Sequence, residues 1–309
     1  MKKRLLIDTD TASDDAVALV MAAKNPLYHI EAVTVVAGNV PVDQGVQNAC
    51  YTLELCNSDT PVYKGAAKPL LRPLETATVV HGNDGMGDIG LSLNGFNPQP
   101  KHAIDAIVDI VNAFPGEVTI VTLGPLTNLA QAILKDPSIA QKAAGVVVMG
   151  GTGQGPGNIT PVAEFNIWVD PEAARIVFES GARLTMVGWD ISRTYAVFEP
   201  ADVAEVKGID TALAHFCMDI QHTLQDFSVK ELGLPGFSLP DPIAMAVALN
   251  RDLIIAAPRL PVAIETQSRL CRGQTVVDHV GATTDPANTE VVLEVSRAGF
   301  LEMLHAAVR

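Results

Sequence analysis

Cationic residues are scarce in this sequence. Its 309 residues include 21 Lys and Arg against 35 Asp and Glu, so the formal net charge is −14 at pH 7 and the pI is near 4.8. A protein that binds nucleic acid needs a basic stripe that neutralises phosphates, and no such stripe is visible here. Nucleic acid is therefore not an expected partner.

Cysteine is also rare, and long hydrophobic runs are missing. The four cysteines are scattered without a C-x-x-C pair, which favours inert thiols in a reducing compartment over a zinc site. No apolar run reaches the roughly 18 residues of a membrane span, and MKKRLLIDTD has too few apolar residues before its first acid for a signal peptide. The sequence predicts a cytoplasmic protein without a membrane partner.

What the sequence does contain is a large apolar fraction with a regular rhythm. Hydrophobic residues make up 48% and charged residues 18%, which is typical of a globular protein with a substantial core. Short β-branched runs alternate with segments of helical periodicity. The predicted strands are 4–8, 30–38, 118–124, 145–151 and 183–189, and the predicted helices are 14–24, 43–57, 102–113, 127–135 and 170–180. This alternation predicts an α/β fold with a mostly parallel sheet and helices on both faces.

The remainder of the chain changes character twice. Residues 200–250 are mainly helical in pattern, 260–295 return to strand-like runs, and 297–308 form a last predicted helix. No low-complexity linker or internal repeat is present. We therefore predict a single domain over residues 1–309, with a mainly helical segment near 200–250.

An unusual concentration of acids follows the first predicted strand. The stretch LLIDTDTASDDAVALVMA (5–22) carries Asp8, Asp10, Asp14 and Asp15 around a strand-to-helix turn. A helix N-terminus favours carboxylates, but this explains only one or two of them. Four like charges in a partly buried place repel one another unless a cation lies among them. An oxygen-rich cluster of this kind suits Ca²⁺ or Mg²⁺.

Further polar residues follow other predicted strands, at the edge where α/β sheets bind ligands. Asn39 ends the motif VAGN, and the glycine-rich segment 150–174 contains Asn158, Glu164 and Asn166. That segment lacks the Lys of a phosphate-binding P-loop and the spacing of a dinucleotide fingerprint. Asp241 precedes an apolar helix in SLPDPIAMAVAL, where by itself it is most simply a helix cap.

Taken in order, these motifs resemble those of one family. D-T-D-x-x-x-D-D-A, V-A-G-N, T-L-G-P-L-T-N, M-G-G, A-E-F-N-I-x-x-D-P-E-A-A and D-P follow one another from about residue 5 to residue 250. The sequence resembles the inosine-uridine-preferring ribonucleoside hydrolases. The resemblance implies an open mixed sheet, a Ca²⁺ ion at its carboxyl edge, cleavage of ribonucleosides to base and ribose, and a homodimer or homotetramer.

The resemblance also implies roles for individual residues. Ca²⁺ would be bound by the side chains of Asp10, Asp15 and Asp241 and by the backbone carbonyl of Leu123. Asp10 would be the catalytic base that activates water, and Asp8 would support the acids. The ribose would be bound by Asp14, Asn39, Asn158, Glu164 and Asn166.

The sequence departs from part of the family at one position. Members that act on many nucleosides carry a His before the last metal-binding Asp, and this chain has Pro240 there. Proline cannot protonate a leaving base, so we predict a purine preference or a narrow substrate range. His81, in VVHGNDGMG, is a candidate substrate-binding residue, and His81 or His222 is a candidate substitute acid. Trp168 and Trp189 are predicted to lie in the core.

Two other functions remain open from the sequence. A haloacid-dehalogenase-like phosphatase also starts with a strand ending in D-x-D, so that Asp8 would be the nucleophile and Mg²⁺ the cofactor. Ala12 stands where that family has Thr or Val, and no motif with a suitable Lys follows. The second alternative is a non-catalytic, Ca²⁺-stabilised protein that binds nucleosides or sugars.

Overall fold

The computed structural model of the chain describes residues 2–309. Its strands are β1 (Lys3–Thr9), β2 (Tyr28–Val35), β3 (Val62–Lys64), β4 (Val118–Thr122), β5 (Gly145–Met149), β6 (Leu184–Val187), β7 (Val197–Phe198), β8 (Phe237–Ser238), β9 (Ile254–Ala256), β10 (Arg259–Leu260), β11 (Val262–Ile264), β12 (Thr275–Val277), β13 (Thr289–Val291) and β14 (Glu294–Val295).

Helices connect most of these strands. They are α1 (Ser13–Lys24), α2 (Val42–Leu55), α3 (Thr78–His81), α4 (Ala103–Ala113), α5 (Thr127–Lys135), α6 (Ile139–Lys142), α7 (Phe165–Val169), α8 (Pro171–Glu179), α9 (Trp189–Tyr195), α10 (Pro200–Lys207), α11 (Ala212–Asp219), α12 (His222–Asp226), α13 (Pro240–Leu249) and α14 (Arg297–Ala307). A π-helical turn, Phe227–Glu231, continues α12, and a 3₁₀ turn spans Arg251–Leu253. No helix within residues 2–309 is long and apolar enough to cross a membrane.

Eight strands form the central sheet, in the order β10-β13-β6-β5-β4-β1-β2-β3. Every neighbouring pair is parallel except β10 and β13, which are antiparallel. This confirms the predicted α/β fold with a mixed, mostly parallel sheet. The alternation of side chains along β1 explains the two-sided cover: Leu5 and Ile7 enter one hydrophobic core, and Leu6 enters the other.

The last third of the chain is where pattern and structure differ most. Residues 200–250 are mainly helical, as predicted, with four helices; they also contain the short strand β8, which pairs with β7, just before this segment, outside the main sheet. Of the strand-like runs in 260–295, only β10 and β13 join the central sheet, while β11 and β12 form a separate hairpin. Strand propensity does not encode which partner a strand finds, because pairing depends on distant residues.

Candidate active site

A cavity of about 310 Å³ opens at the carboxyl edge of the sheet. Because β1, β2, β4 and β5 are parallel neighbours or near neighbours, the residues that follow them meet at this edge. Eight of the residues predicted for the site line the cavity: Asp14, Asn39, His81, Leu123, Asn158, Glu164, Asn166 and Asp241. The other two, Asp10 and Asp15, are fully buried beside them.

Three acids meet at this edge, and the set differs from the predicted cation ligands because it contains Asp14 in place of Asp10. Asp14, Asp15 and Asp241 each offer a carboxylate oxygen, and these oxygens lie within 4.8 Å of one another. Burial raises the pKa of Asp14 and of Asp15 to about 6. The pKa of Asp241 is also raised, first by burial and then by repulsion from Asp15 and Asp14. When ionised, the carboxylates of this cluster therefore repel one another, and a cation among them would offset that repulsion.

Asp10 is held in place at the end of β1. One of its carboxylate oxygens, Oδ2, accepts a 2.5 Å hydrogen bond from the backbone N–H of Asn39, while Oδ1 is enclosed without a hydrogen-bond partner in residues 2–309. Burial, followed by repulsion from Asp15, raises the pKa of Asp10. Glycine is required at Gly38 and Gly124, because a Cβ at either position would collide with the Asp10 carboxylate.

Asp15 is oriented by two local donors. Its oxygens accept hydrogen bonds from the hydroxyl of Thr9 and, at 2.9 Å, from the backbone N–H of Ala12. The last residue of β1 and the N-cap residue of α1 thus fix this carboxylate. Asp14, one residue earlier, keeps Oδ1 without a hydrogen-bond partner in the described chain.

Asp8 lies deeper than the other acids. Its Oδ1 accepts hydrogen bonds from Asn128 at 2.8 Å and from the Thr34 hydroxyl at 2.6 Å, and burial raises its pKa to about 7. The side chain is fully buried and does not line the cavity.

The donor set of this cluster fits a hard cation. Enclosed carboxylate oxygens of Asp8, Asp10 and Asp14 have no hydrogen-bond donor within residues 2–309. A buried, unpaired carboxylate is costly, and a cation removes that cost. All the nearby ligand atoms are oxygens, which Ca²⁺ and Mg²⁺ prefer over the nitrogen and sulfur ligands typical of zinc.

The backbone carbonyl of Leu123, the predicted fourth cation ligand, belongs to a residue that lines the cavity. It accepts a 2.6 Å hydrogen bond from the side-chain amide of Asn166, which also donates to the carbonyl of Met149 at 3.3 Å. A carbonyl oxygen has two lone pairs, so one remains for a cation. Asn166 therefore has a positioning role that the sequence did not predict.

Glu164 and Asn158 also stabilise their own loop, because their side chains accept hydrogen bonds from its backbone. The Glu164 carboxylate caps α7 by accepting from the N–H groups of Asn166 and Ile167, and it accepts from Gly151 as well. Burial raises its pKa to about 7. Asn158 Oδ1 accepts from the N–H of Phe165 at 2.9 Å. These side chains line the cavity and also define its wall.

The cavity is also lined by many apolar side chains, most of which were not predicted from the sequence. Its wall is built by Val79, Val80, Ile159, Trp189, Leu224, Phe227, Leu232, Leu234 and Pro240. Trp189, expected in the core, is half-buried and lines this wall. Trp168 lies away from the cavity, with the guanidinium of Arg272 3.7 Å from its ring centre. His222 is exposed and does not line the cavity, which argues against it as the substitute acid.

Comparison with known proteins agrees with this arrangement. The family model described as inosine-uridine preferring nucleoside hydrolase matches residues 5–302. A curated relative from an Enterobacter species, the pyrimidine-specific ribonucleoside hydrolase RihA, is 37% identical over 302 residues, which are 97% of this chain and 96% of the relative.

Solved structures show the same likeness. A plant nucleoside hydrolase, the PpNRh1 enzyme, superposes with a TM-score of 0.94 at 32% identity and covers 100% of this chain and 99% of its own. The purine-preferring ribonucleoside hydrolase from Gardnerella vaginalis superposes with a TM-score of 0.91 at 28% identity, covering 99% of this chain and 98% of its own. Ordered motifs, fold and acidic cavity thus agree with a family match over nearly the whole length: the chain belongs to the inosine-uridine preferring nucleoside hydrolase family.

Proposed function

We propose that this protein hydrolyses the N-glycosidic bond of ribonucleosides in a Ca²⁺-dependent reaction that yields free base and ribose. One observation carries the proposal: the same cavity is lined by carboxylates and amides, called here its floor, and by the apolar side chains of the wall. The polar floor suits the hydroxyl groups of a ribose. The apolar wall suits the flat face of a base, which stacks on aromatic and aliphatic groups.

Asp10, Asp15, Asp241 and the carbonyl of Leu123 would hold the Ca²⁺ ion. Asp14 lies as close to Asp15 and Asp241 as a ligand would, and like Asp10 it has an enclosed carboxylate oxygen without a hydrogen-bond partner in residues 2–309. The family resemblance assigns Asp14 to the substrate, and its place in the cavity lining next to His81 is compatible with that role. Asp10 is fully buried and does not line the cavity. When bound, the cation acts as a Lewis acid that lowers the pKa of water and attracts ribose hydroxyl groups.

The reaction breaks the bond between C1′ of the ribose and the base nitrogen. The bonding electron pair leaves with the base, and positive charge builds up on the sugar. Water adds to C1′, and Asp10 accepts its proton as general base. The buried carboxylates of the floor stabilise the positively charged sugar, because electrostatic interactions are strong where solvent is excluded.

The side chain of Asn39 offers the cleanest test of ribose recognition. Its amide lines the cavity and makes no hydrogen bond within residues 2–309, whereas Asn158, Glu164 and Asn166 also support the loop. Asn39→Ala keeps the backbone N–H that holds Asp10. We expect kcat/KM for ribonucleosides to fall on the order of 10²-fold, measured by steady-state ribose release, because a hydrogen bond to the sugar is lost.

The exposed Asn97 provides the matched control, since Asn97→Ala removes an amide outside the cavity. Discrimination between ribosides and their 2′- or 3′-deoxy analogues should shrink in Asn39→Ala and stay unchanged in the control. Equal discrimination in wild type and Asn39→Ala would contradict the assignment of Asn39 to the ribose.

The activity itself is tested by substrate comparison. Inosine, uridine and 4-nitrophenyl riboside are incubated with Ca²⁺-loaded protein, and ribose, base and phosphate are measured. Release of ribose supports the proposal. Binding of inosine without ribose release would instead indicate the non-catalytic nucleoside-binding alternative, and phosphate release from nucleotides would indicate a phosphatase.

Base preference depends on the residue at position 240. Pro240 lines the apolar wall and has no proton to donate, so we expect 4-nitrophenyl riboside, whose leaving group needs none, to be cleaved faster than either nucleoside. A purine preference would follow if purines are easier to protonate from solvent. The relative named pyrimidine-specific gives this preference no support. The ratio of kcat/KM for inosine to kcat/KM for uridine shows whether purine or pyrimidine ribosides are preferred. Cleavage of 4-nitrophenyl riboside more slowly than both nucleosides would contradict the argument from Pro240.

A further inference from the structure

Ser13 and His81 form a buried pair at the edge of the cavity. Ser13 is the first residue of α1 and is fully buried, and its Oγ lies 3.0 Å from Nδ1 of His81. His81 ends α3 and lines the cavity. The same Nδ1 atom is 3.7 Å from Oδ1 of Asp14, which is too long for a hydrogen bond.

The hydrogen-bond partners available to Ser13 and His81 show which of the two groups donates. The Ser13 hydroxyl has no other hydrogen-bond acceptor within residues 2–309, and a buried hydroxyl that keeps its proton unshared is costly. The hydroxyl therefore donates to Nδ1. Burial lowers the pKa of His81 to about 4, so the ring is neutral and carries one proton. With Nδ1 accepting, that proton is on Nε2.

The two segments that carry the pair are fixed to each other. The side-chain amide of Asn48 donates to the carbonyl of Thr11 and to that of Asp84, both at 2.9 Å, and so ties the start of α1 to the loop after His81. The side chain of Gln221 donates to the carbonyl of Ser13 at 2.8 Å. Both ends of the Ser13–His81 hydrogen bond are thus held by fully buried side chains.

Nε2 is the free end of the ring. It has no hydrogen-bond partner in residues 2–309 and is not among the fully enclosed polar atoms. Nδ1 is engaged by Ser13, so Nε2 is the ring nitrogen of this cavity-lining residue that is left free to bond a ligand.

From this geometry we infer that Ser13 is a positioning residue that fixes the Nε2–H tautomer of His81, so that His81 donates a hydrogen bond to the leaving base. The inference rests on the proposed hydrolase function. As the bond between C1′ and the base breaks, the electron pair moves onto the base, and an N–H donor at an acceptor atom of the ring stabilises it. No proton transfer from His81 is needed; the base takes its proton from solvent. The hydrogen bond from His81 partly compensates for the proton that Pro240 cannot donate to the leaving base.

The first experiment measures the tautomer directly in the wild-type, Ca²⁺-loaded protein. Histidine labelled with ¹⁵N distinguishes a protonated ring nitrogen from an unprotonated one by chemical shift. Among the seven histidines, His81 is identified by the set of signals that is lost in His81→Gln. We expect His81 to carry its proton on Nε2. A proton on Nδ1 would overturn the inference whatever the variants do.

The second experiment compares substrates in Ser13→Ala. Without the hydroxyl, Nδ1 gains from carrying the proton toward Asp14, and Nε2 becomes an acceptor that faces the base. The ratio of kcat/KM for inosine or uridine to that for 4-nitrophenyl riboside should fall about 10-fold to 100-fold, chiefly in kcat. Ser13→Thr, which keeps a hydroxyl, should restore the ratio. Ser180→Ala, at the opposite edge of the sheet, is the matched control and should leave the ratio unchanged.

Failure of this inference is distinguishable from failure of the proposed function. If the wild-type protein releases no ribose from any riboside, the hydrolase proposal fails. If it releases ribose but Ser13→Ala changes all three substrates by the same factor, with Nε2–H retained, Ser13 is merely structural and only the inference on His81 is overturned.

Discussion

Replacing Asp10 by Asn is expected to reduce kcat for ribonucleoside hydrolysis on the order of 10²-fold to 10⁴-fold. The amide has nearly the same shape and can still accept the hydrogen bond from the backbone N–H of Asn39, but it cannot accept a proton from water. Because Asn also weakens the cation site, kcat is measured at saturating Ca²⁺. Thermal unfolding of the same samples shows whether the variant is folded.

Two further Asp variants separate the roles of the acids. Asp59→Asn changes an exposed carboxylate outside the cavity and serves as the matched control. Asp8→Asn keeps the hydrogen bond from Thr34 and should reduce kcat far less than Asp10→Asn does. Wild-type turnover by Asp10→Asn, or a larger loss in Asp8→Asn, would contradict the assignment of Asp10 as the base.

Removal of Ca²⁺ is expected to abolish activity and to make stability depend on pH in an unusual direction. Burial raises the pKa of Asp14 and Asp15 to about 6 and that of Asp8 and Glu164 to about 7. In the unfolded chain these acids titrate near 4. Between about pH 4 and pH 7 the folded protein therefore binds more protons than the unfolded chain, and the free energy of unfolding falls as the pH rises.

Between pH 5 and pH 8 the buried acids with raised pKa titrate, whereas carboxylates with lowered pKa do not. Carboxylates with lowered pKa, such as that of Asp136 at about 2, have released their protons well below pH 5 and contribute no slope between pH 5 and pH 8. His81 acts in the opposite direction below about pH 6.5, because burial lowers its pKa to about 4 and the unfolded chain then binds the additional proton. It is a single group against several acids with raised pKa, so the net trend is set by the acids of the cavity floor and by Glu164.

The measurement is the melting temperature at pH 5, 6, 7 and 8, in chelator and in Ca²⁺. In chelator the Tm should fall from pH 5 to pH 8. Bound Ca²⁺ should stabilise the protein most at the upper end, by about 2.7 kcal/mol at a free concentration of one hundred times Kd. Ca²⁺ added back should restore ribose release. A metal-free Tm that rises with pH across this range, or one that Ca²⁺ leaves unchanged, would contradict both the cation site and the direction of the pKa shifts.

Local sequence patterns determined the elements and the place of the site. The apolar run before Asp8 predicted a buried strand, and the structure has β1 at Lys3–Thr9 in the interior of the sheet. Helical periodicity predicted α5 at its observed bounds, Thr127–Lys135. Periodicity succeeds because it reflects which face of a helix or strand is buried, and that is a local property. Acids and amides placed after strands also predicted the polar floor, since parallel strands end at one edge.

Only the tertiary structure decided which distant groups meet. Asn128 contacts Asp8 across 120 positions, and Ser13 contacts His81 across 68. The apolar wall likewise combines Val80, Trp189 and Phe227, from three separate segments, and neither propensity nor spacing relates them. Such contacts depend on strand order and helix packing, which long-range burial selects. The chemistry of the floor was therefore predictable from the sequence, whereas the wall that faces the base and the orientation of His81 were not.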